Sequence, residues 1–188
     1  MRGALLLDRD GTLNREIDYL ADPEDLELIG GAAEAIARAR QAGHAIVVIT
    51  NQSGIARGLL TEERLTEIHT RLDAMLAAAD PRAVVDMYYA CPHHPEHGPP
   101  AYRQDCTCRK PKPGMLLDAI RDLGFDPAQS AQVGDSVRDL DAARAAGVPA
   151  RYLVATGKGQ DQRGRLAPDD RFVPDVLTAV EDWLARAT

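Results

Sequence analysis

Short apolar runs alternating with stretches of helical spacing constrain this chain more than any other feature. The runs cover 4–7, 44–50, 84–91, 130–135 and 150–156, and four of them lead into Asp8, Thr50, Cys91 and Asp135. A run of four to seven apolar residues without strict alternation suits a strand buried on both faces, as in a parallel sheet with helices above and below it. Between the runs, apolar spacing predicts helices over 31–43, 61–79, 114–124, 138–147 and 176–187. Gly43 and Gly124 read as stops, Thr61 as a cap, Asp80-Pro81 as a break, and Pro113 as a first-turn residue. The alternation predicts a doubly wound, Rossmann-like α/β fold of five mostly parallel strands, in three α/β/α layers with right-handed crossovers. Ligands of such sheets bind beyond the carboxyl ends of the strands, where these four residues fall.

Length fits one domain over 1–188, large enough to bury a core unaided. Its 22 basic and 29 acidic residues leave a net charge of -7, which argues against a sequence-independent hold on nucleic acid. Aromatics at 4% are too few for base-stacking platforms. The apolar run at the N-terminus is too short for a secretory signal, and nothing approaches the roughly 18 apolar residues of a membrane span. A cytoplasmic protein is expected, with a small ligand, no membrane partner and a monomeric state, because the site completes itself within one chain. The segment 157–170, rich in Gly, Gln, Arg and Asp, reads as a mobile loop.

In "DRDGT", Asp8 and Asp10 are two carboxylates spaced one residue apart at a strand's end, followed by Gly11. Most such pairs cap a turn. A calcium loop fails on spacing, since its sixth and twelfth positions would be Leu13 and Tyr19 instead of Gly and Glu. Like charges this close oppose joint ionisation unless a cation relieves them. Asp135 at another strand end would complete an oxygen-rich site for Mg²⁺. Thr50, with the amides of Asn51, Gln52 and Ser53, offers donors to phosphate oxygens, and Lys110 offers a positive charge. Asp139 reads as a cap or a supporting partner more than as a metal ligand.

The three cysteines gather in "CPHHPEHGPPAYRQDCTC", where Cys91-x-His93 faces Cys106-x-Cys108 across a polar loop. Two close pairs of soft ligands match a closed tetrahedral Zn²⁺ site, which leaves no open position and is therefore structural. His94 and His97 are alternative fourth ligands. Zinc can contribute about 10 kcal/mol or more of ordering in small peptides, enough to hold a loop with no core of its own.

With "DRDGT", "VVIT", "CRKPKPG" and "VGDSVRD" in this order, the chain resembles the haloacid dehalogenase superfamily of phosphohydrolases from residue 4 to about 156. That resemblance implies Asp8 as a nucleophile forming an aspartyl-phosphate. Asp10 would protonate the leaving oxygen and then activate water, and Thr50 and Lys110 would hold the phosphoryl group. It places Mg²⁺ on Asp8, the main-chain carbonyl of Asp10, and Asp135.

Within the superfamily the zinc loop, the minimal cap, "TNQSGIARG" and "CRKPKPGM" are similar to the heptose 1,7-bisphosphate phosphatases. These remove the 7-phosphate in nucleotide-heptose biosynthesis. The likeness implies substrate contacts from Arg109, Arg57 and the loop from Glu16 to Tyr19. Histidinol-phosphate phosphatases share the acid motif and a similar zinc loop and are the nearest alternative. A phospho-accepting receiver domain is the alternative from another class, but it has no use for a zinc loop or for a second acid after the nucleophile. The chain departs from its branch at Ser136, where some relatives carry Lys, and in "REIDY", which lacks a His-Gly before Tyr19.

Overall fold

The computed structural model describes residues 3–186. Its first strand, β1 (Ala4–Leu7), is fully buried. The rest of the order is α1 (Ala32–Gln41), β2 (Ala45–Asn51), α2 (Glu62–Ala79), β3 (Met87–Cys91), α3 (Gly114–Leu123), β4 (Ala131–Gly134), α4 (Val137–Ala145) and β5 (Ala150–Val154). A short α5 (Gly159–Gln162), β6 (Arg171–Val173) and α6 (Val176–Arg186) complete it. All strand pairs are parallel and the sheet order is β3-β2-β1-β4-β5-β6.

Period-two alternation divides the core. Leu5 and Leu7 of β1, with Ile46 and Val48 of β2, pack under α1, α2 and α6. Ala4 and Leu6, with Val47 and Ile49, pack under α3 and α4 on the other face. Each buried Leu contributes about 2 kcal/mol, so both faces hold β1 in place. Thr61 caps α2 by accepting from Arg64 N at 3.1 Å, and Gly124 ends α3 with φ 64°. Pro113 precedes α3 as its cap residue and does not form its first turn.

The C-terminal part changes two further expectations. A sixth strand, β6, extends the predicted five, and 157–170 is not a loose loop. Its start donates Lys158 N to Asp135 Oδ2 at 2.8 Å, its middle sets Gln162 Oε1 on Val137 N at 3.0 Å, and its end buries Asp170 between Arg144 at 2.6 Å and Arg151 at 2.8 Å. Polar composition signalled a loop; here the polar groups are spent on anchoring. Predicted β3 begins later than expected, at Met87, and position 187 of the expected last helix lies outside the described residues. No helix among the described residues is long and apolar enough to cross a membrane.

The chain builds outward through β2 and β3 and then returns to place β4 on the opposite side of β1. That reversal opens a crevice at the carboxyl ends of β1 and β4.

Candidate active site

Asp8 continues the phase of Ala4 and Leu6 off the tip of β1, toward the α3/α4 face. Lys110, 2% exposed and just ahead of α3, donates from Nζ to Asp8 Oδ1 at 2.9 Å and to the carbonyl of Ile49 at 2.6 Å, and pairs with Asp139 Oδ1 at 2.6 Å. Asn51 holds the Lys110 backbone at both ends, donating from Nδ2 to its carbonyl and accepting from its N–H, each at 3.1 Å. The other oxygen of Asp139 accepts from Ser136 N at 3.0 Å, closing the capping box of α4. Both Asp139 oxygens are therefore occupied, as a cap and as the partner of Lys110.

Burial pushes Asp8 up to about 8 against the pull of Lys110, with Asp139, Asp135 and Asp10 adding to the rise. Burial likewise raises Asp135 to about 7, eased by the Lys158 N–H and reinforced by Asp139 and Glu16. For Lys110, burial alone would favour the neutral amine, but Asp139 and Asp8 outweigh it and raise its pKa. Carboxylates at Asp8, Asp135 and Asp139 offer oxygens within 4.8 Å of one another. With Asp139 committed elsewhere, Asp8 and Asp135 are the two that a cation could relieve. The backbone closes tightly on Asp135: a Cβ added to Gly11 or Gly157 would run into its carboxylate. Two neighbouring carboxylates, both penalised for charge by burial, suit a hard divalent ion.

Asp10 lies in a different environment. Arg9, in phase with Leu5 and Leu7, grips it from Nε at 3.1 Å and from Nη2 at 2.9 and 2.8 Å. Asn14 adds a bond at 3.0 Å, and Gln52 Nε2 donates at 2.8 Å both to Asp10 Oδ2 and to Thr50 Oγ1. Burial would raise Asp10, but the Arg9 charge and the bonds from Asn14, Arg9 and Gln52 hold it below the ordinary carboxylate range. Neighbouring carboxyls are thus driven in opposite directions, and without a cation it is Asp8 that keeps a proton and Asp10 that is ionised.

Glu16, Tyr19, Ser53, Arg57 and Arg109 line the mouth of the same cleft, with Thr50, Asn51 and Gln52 deeper in it. Lys158 Nζ pairs with Glu16 at 2.7 Å, and the Arg57 guanidinium lies 5.8 Å from the centre of the Tyr19 ring. Tyr19 has a φ of 56°, a left-handed backbone that costs a non-glycine residue about 1–3 kcal/mol and tends to occur at binding sites. One donor differs from expectation: the main-chain N–H of Gln52 is spent on the carbonyl of Cys91 at 2.7 Å and is not a free donor to the cleft. The Asn51 side chain, in turn, fixes the Lys110 backbone. Arg138 and Lys158 line the cleft without having been singled out in the sequence, and His94, named there only as an alternative zinc ligand, lines it too. For Lys158 the signal was present, because it follows β5 at a carboxyl end of the sheet. Nothing placed Arg138 or His94 at the cleft, since nothing in a sequence shows which face of a loop or first helical turn meets a distant strand.

Cys91, His93, Cys106 and Cys108 also converge. Cys108 Sγ lies 3.2 Å from Cys91 Sγ and 3.1 Å from Cys106 Sγ, Cys91 and Cys106 are 3.5 Å apart, and His93 Nδ1 is 3.3 Å from Cys108 Sγ. These separations approach the edge of about 3.8 Å of a tetrahedron with Zn–S about 2.3 Å. Burial pushes the Cys91 and Cys108 thiols up, so a cation is needed to keep them as thiolates. His94 instead accepts on Nδ1 from the N–H groups of Glu96 at 3.1 Å and His97 at 3.2 Å, which takes that nitrogen away from the cluster. Arg109 follows Cys108 and donates to the carbonyl of His93 at 3.1 Å, tying the loop to the cleft.

A family model described as HAD-hydrolase-like matches residues 107–179. The chain is 45% identical to the D-glycero-beta-D-manno-heptose-1,7-bisphosphate 7-phosphatase of Vibrio cholerae over 97% of this chain and 96% of that one. It is also 45% identical to the enzyme of the same name from Haemophilus influenzae, over 99% and 98% of the two chains. Among solved structures, the D,D-heptose 1,7-bisphosphate phosphatase of B. bronchiseptica, complexed with magnesium and phosphate, matches with a TM-score of 0.86 at 38% identity over 99% of each chain.

Proposed function

This chain belongs to the HAD-like hydrolases, in the family of the heptose-1,7-bisphosphate 7-phosphatases, and from that premise we propose that it cleaves the 7-phosphate of D-glycero-β-D-manno-heptose 1,7-bisphosphate through an aspartyl-phosphate on Asp8. The observation that carries the chemistry is the separation of the two acids, Asp8 against Lys110 and Asp135, Asp10 in the grip of Arg9, Asn14 and Gln52. The relatives' names favour the heptose reading over histidinol phosphate and over a receiver domain, and they specify the β anomer.

Asp8 and Asp10 share one proton: Asp8 would give it up once a cation binds its carboxyl, and the incoming phosphoryl dianion favours the protonated form of Asp10. Asp8 then attacks phosphorus in line, the bond from phosphorus to the sugar oxygen breaks, and Asp10 gives that proton to the leaving oxygen. Asp10 then takes a proton from a water that attacks the aspartyl-phosphate, which restores Asp8 and releases inorganic phosphate. Lys110 and Thr50 hold the phosphoryl oxygens. Mg²⁺ would be held by Asp8, the carbonyl of Asp10, and Asp135, and when bound it supplies positive charge to the crowded carboxylate and phosphoryl oxygens. Zn²⁺ on Cys91, His93, Cys106 and Cys108 would be structural, with all four positions filled by protein.

A bisphosphate brings a second dianion that is not cleaved. Arg57, Arg109 and Arg138 line the cleft and form no salt bridge among the described residues, while neighbouring Lys158 is paired to Glu16. Arg57 and Arg138 are near enough to Arg109 to help burial lower its pKa, a mutual repulsion that a retained phosphate would relieve. Glu16 and Tyr19 would border the sugar.

Mg²⁺-dependent phosphate release from the two anomers of heptose 1,7-bisphosphate and from histidinol phosphate, at equal concentration, tests the assignment. The β anomer should be turned over fastest. Faster release from histidinol phosphate would overturn the substrate, and release from none would overturn the chemistry.

A further inference from the structure

Arg9 is the largest wholly buried side chain among the described residues, at 0% exposure. A buried guanidinium is tolerated when its charge is paired and each N–H finds an acceptor. Nε and Nη2 are satisfied by Asp10, but Nη1 is buried with no partner among the described residues. Leaving such a donor unsatisfied costs about 1–3 kcal/mol or more. Something should accept from it.

His69, on α2, carries the complementary defect: its Nε2 is buried and has no partner among the described residues. α2 packs on the face of the sheet toward which Leu5, Leu7 and, in phase with them, Arg9 are directed. The ring is stacked on Tyr88 of β3 at 4.2 Å and 16°, which fixes its plane, and Tyr88 is anchored in turn by donating to Asp73 at 2.6 Å. Burial, followed by the charge of Arg9, depresses His69 to about 3, so the ring is neutral at ordinary pH and the two side chains lie within each other's field. A neutral imidazole offers one donor and one acceptor. An orphaned cationic donor and an orphaned nitrogen in one buried region are complementary once Nε2 is the acceptor; neither bonds the other directly, and a single buried water would find a polar partner in each.

We propose that one buried water links Arg9 Nη1 to His69 Nε2, accepting from the guanidinium and donating to the ring, and so holds the Arg9 fork on Asp10. His69 is then a positioning residue, acting on the acid and base of the reaction through Arg9, from a helix that supplies nothing to the cleft. This rests on the assignment of Asp10 above.

Single-turnover kinetics provide the test, because they read the first step, in which Asp10 protonates the leaving group. His69→Leu removes the acceptor, and His69→Gln restores one on its side-chain carbonyl. With the sugar bisphosphate, whose leaving alkoxide needs a proton, H69L should slow the step about tenfold, part of the hundredfold or more that a positioned acid contributes. KM should stay within about twofold, and H69Q should recover most of the rate. With p-nitrophenyl phosphate, whose leaving group needs no proton, H69L should change the rate less than about twofold. Equal losses on both substrates, or an H69Q no better than H69L, would overturn the proposal. A wild type inactive on the sugar bisphosphate but active on p-nitrophenyl phosphate points to a failed substrate assignment instead, and the variants are then compared on any alkyl phosphate that it does hydrolyse. Should H69L not fold, ring ¹⁵N spectra of the wild type decide, with only five histidines to assign. His69 Nε2 should be an unprotonated acceptor whose shift moves in Arg9→Lys, and a proton on Nε2 would overturn the proposal.

Discussion

The tip of β1 and the cysteine loop each gather side chains suited to a metal ion, yet they are held by opposite means. At β1 the strand is clamped between two hydrophobic clusters, and Asp8 and Asp135 emerge from ends that the core has already placed. In the loop only Cys91 stands on a strand, while the stretch from there to α3 is polar and poor in buried side chains. One site is built by the core and would use its metal for chemistry. The other would use its metal as a substitute for a core. They meet at Lys110, two residues after Cys108, so a fault in the loop should reach the catalytic centre while the reverse should not.

The largest expected effect sharpens the first half of this contrast. Asp8→Asn should abolish Mg²⁺-dependent turnover and leave the circular dichroism spectrum unchanged; substantial residual phosphate release from the purified variant would refute the nucleophile. Next comes the loop. Cys108→Ser, or treatment with a strong chelator, should lower kcat by about tenfold or more and open 92–112 to proteolysis, since zinc on these four side chains would supply the ordering energy there. A metal assay that finds no zinc in freshly purified protein, or a Cys108→Ser variant with normal kcat, would break the coupling between the sites.

The smallest effect tests whether the core truly imposes the carboxylate geometry at a cost. Asp8 has a folded pKa of about 8 against an ordinary 3.8, so the folded state retains a proton that the unfolded chain releases. This stability term is fully present below about pH 4 and is lost as pH rises toward 8. In metal-free protein at pH 8, Asp8→Asn should therefore raise Tm by a few degrees, at about 2–4 °C per kcal/mol, with the gain shrinking as pH falls. A Tm below that of wild type, or a difference independent of pH, would contradict the burial penalty.

Much of the site was legible because chemistry and strand ends coincide in the chain: Asp8, Thr50, Cys91 and Asp135 each follow an apolar run. The cysteine spacing was readable for a similar reason, with ligands in two local pairs. The segment 157–170 was misread because its polarity signals solvent unless its partners, Asp135, Val137, Arg144 and Arg151, are known. Strand β6 has three residues, too few for periodicity to register. Gln52 and Asn51 were recognised as belonging to the site, while their orientation, toward Asp10 and the Lys110 backbone, was not.

By itself the sequence determined the doubly wound sheet, the acids at its tips and the two Cys/His and Cys/Cys pairs of the loop, because hydrophobic period and close spacing are local properties that survive in one dimension. Only the tertiary structure decided that Arg9 turns inward to hold Asp10 beneath α2, that Asp139 is consumed by Lys110 and the α4 cap, and that Arg57, Arg109 and Arg138 share one rim. Those outcomes depend on which buried charge finds which partner, and the low dielectric of the interior makes that a matter of contacts between segments far apart in the chain.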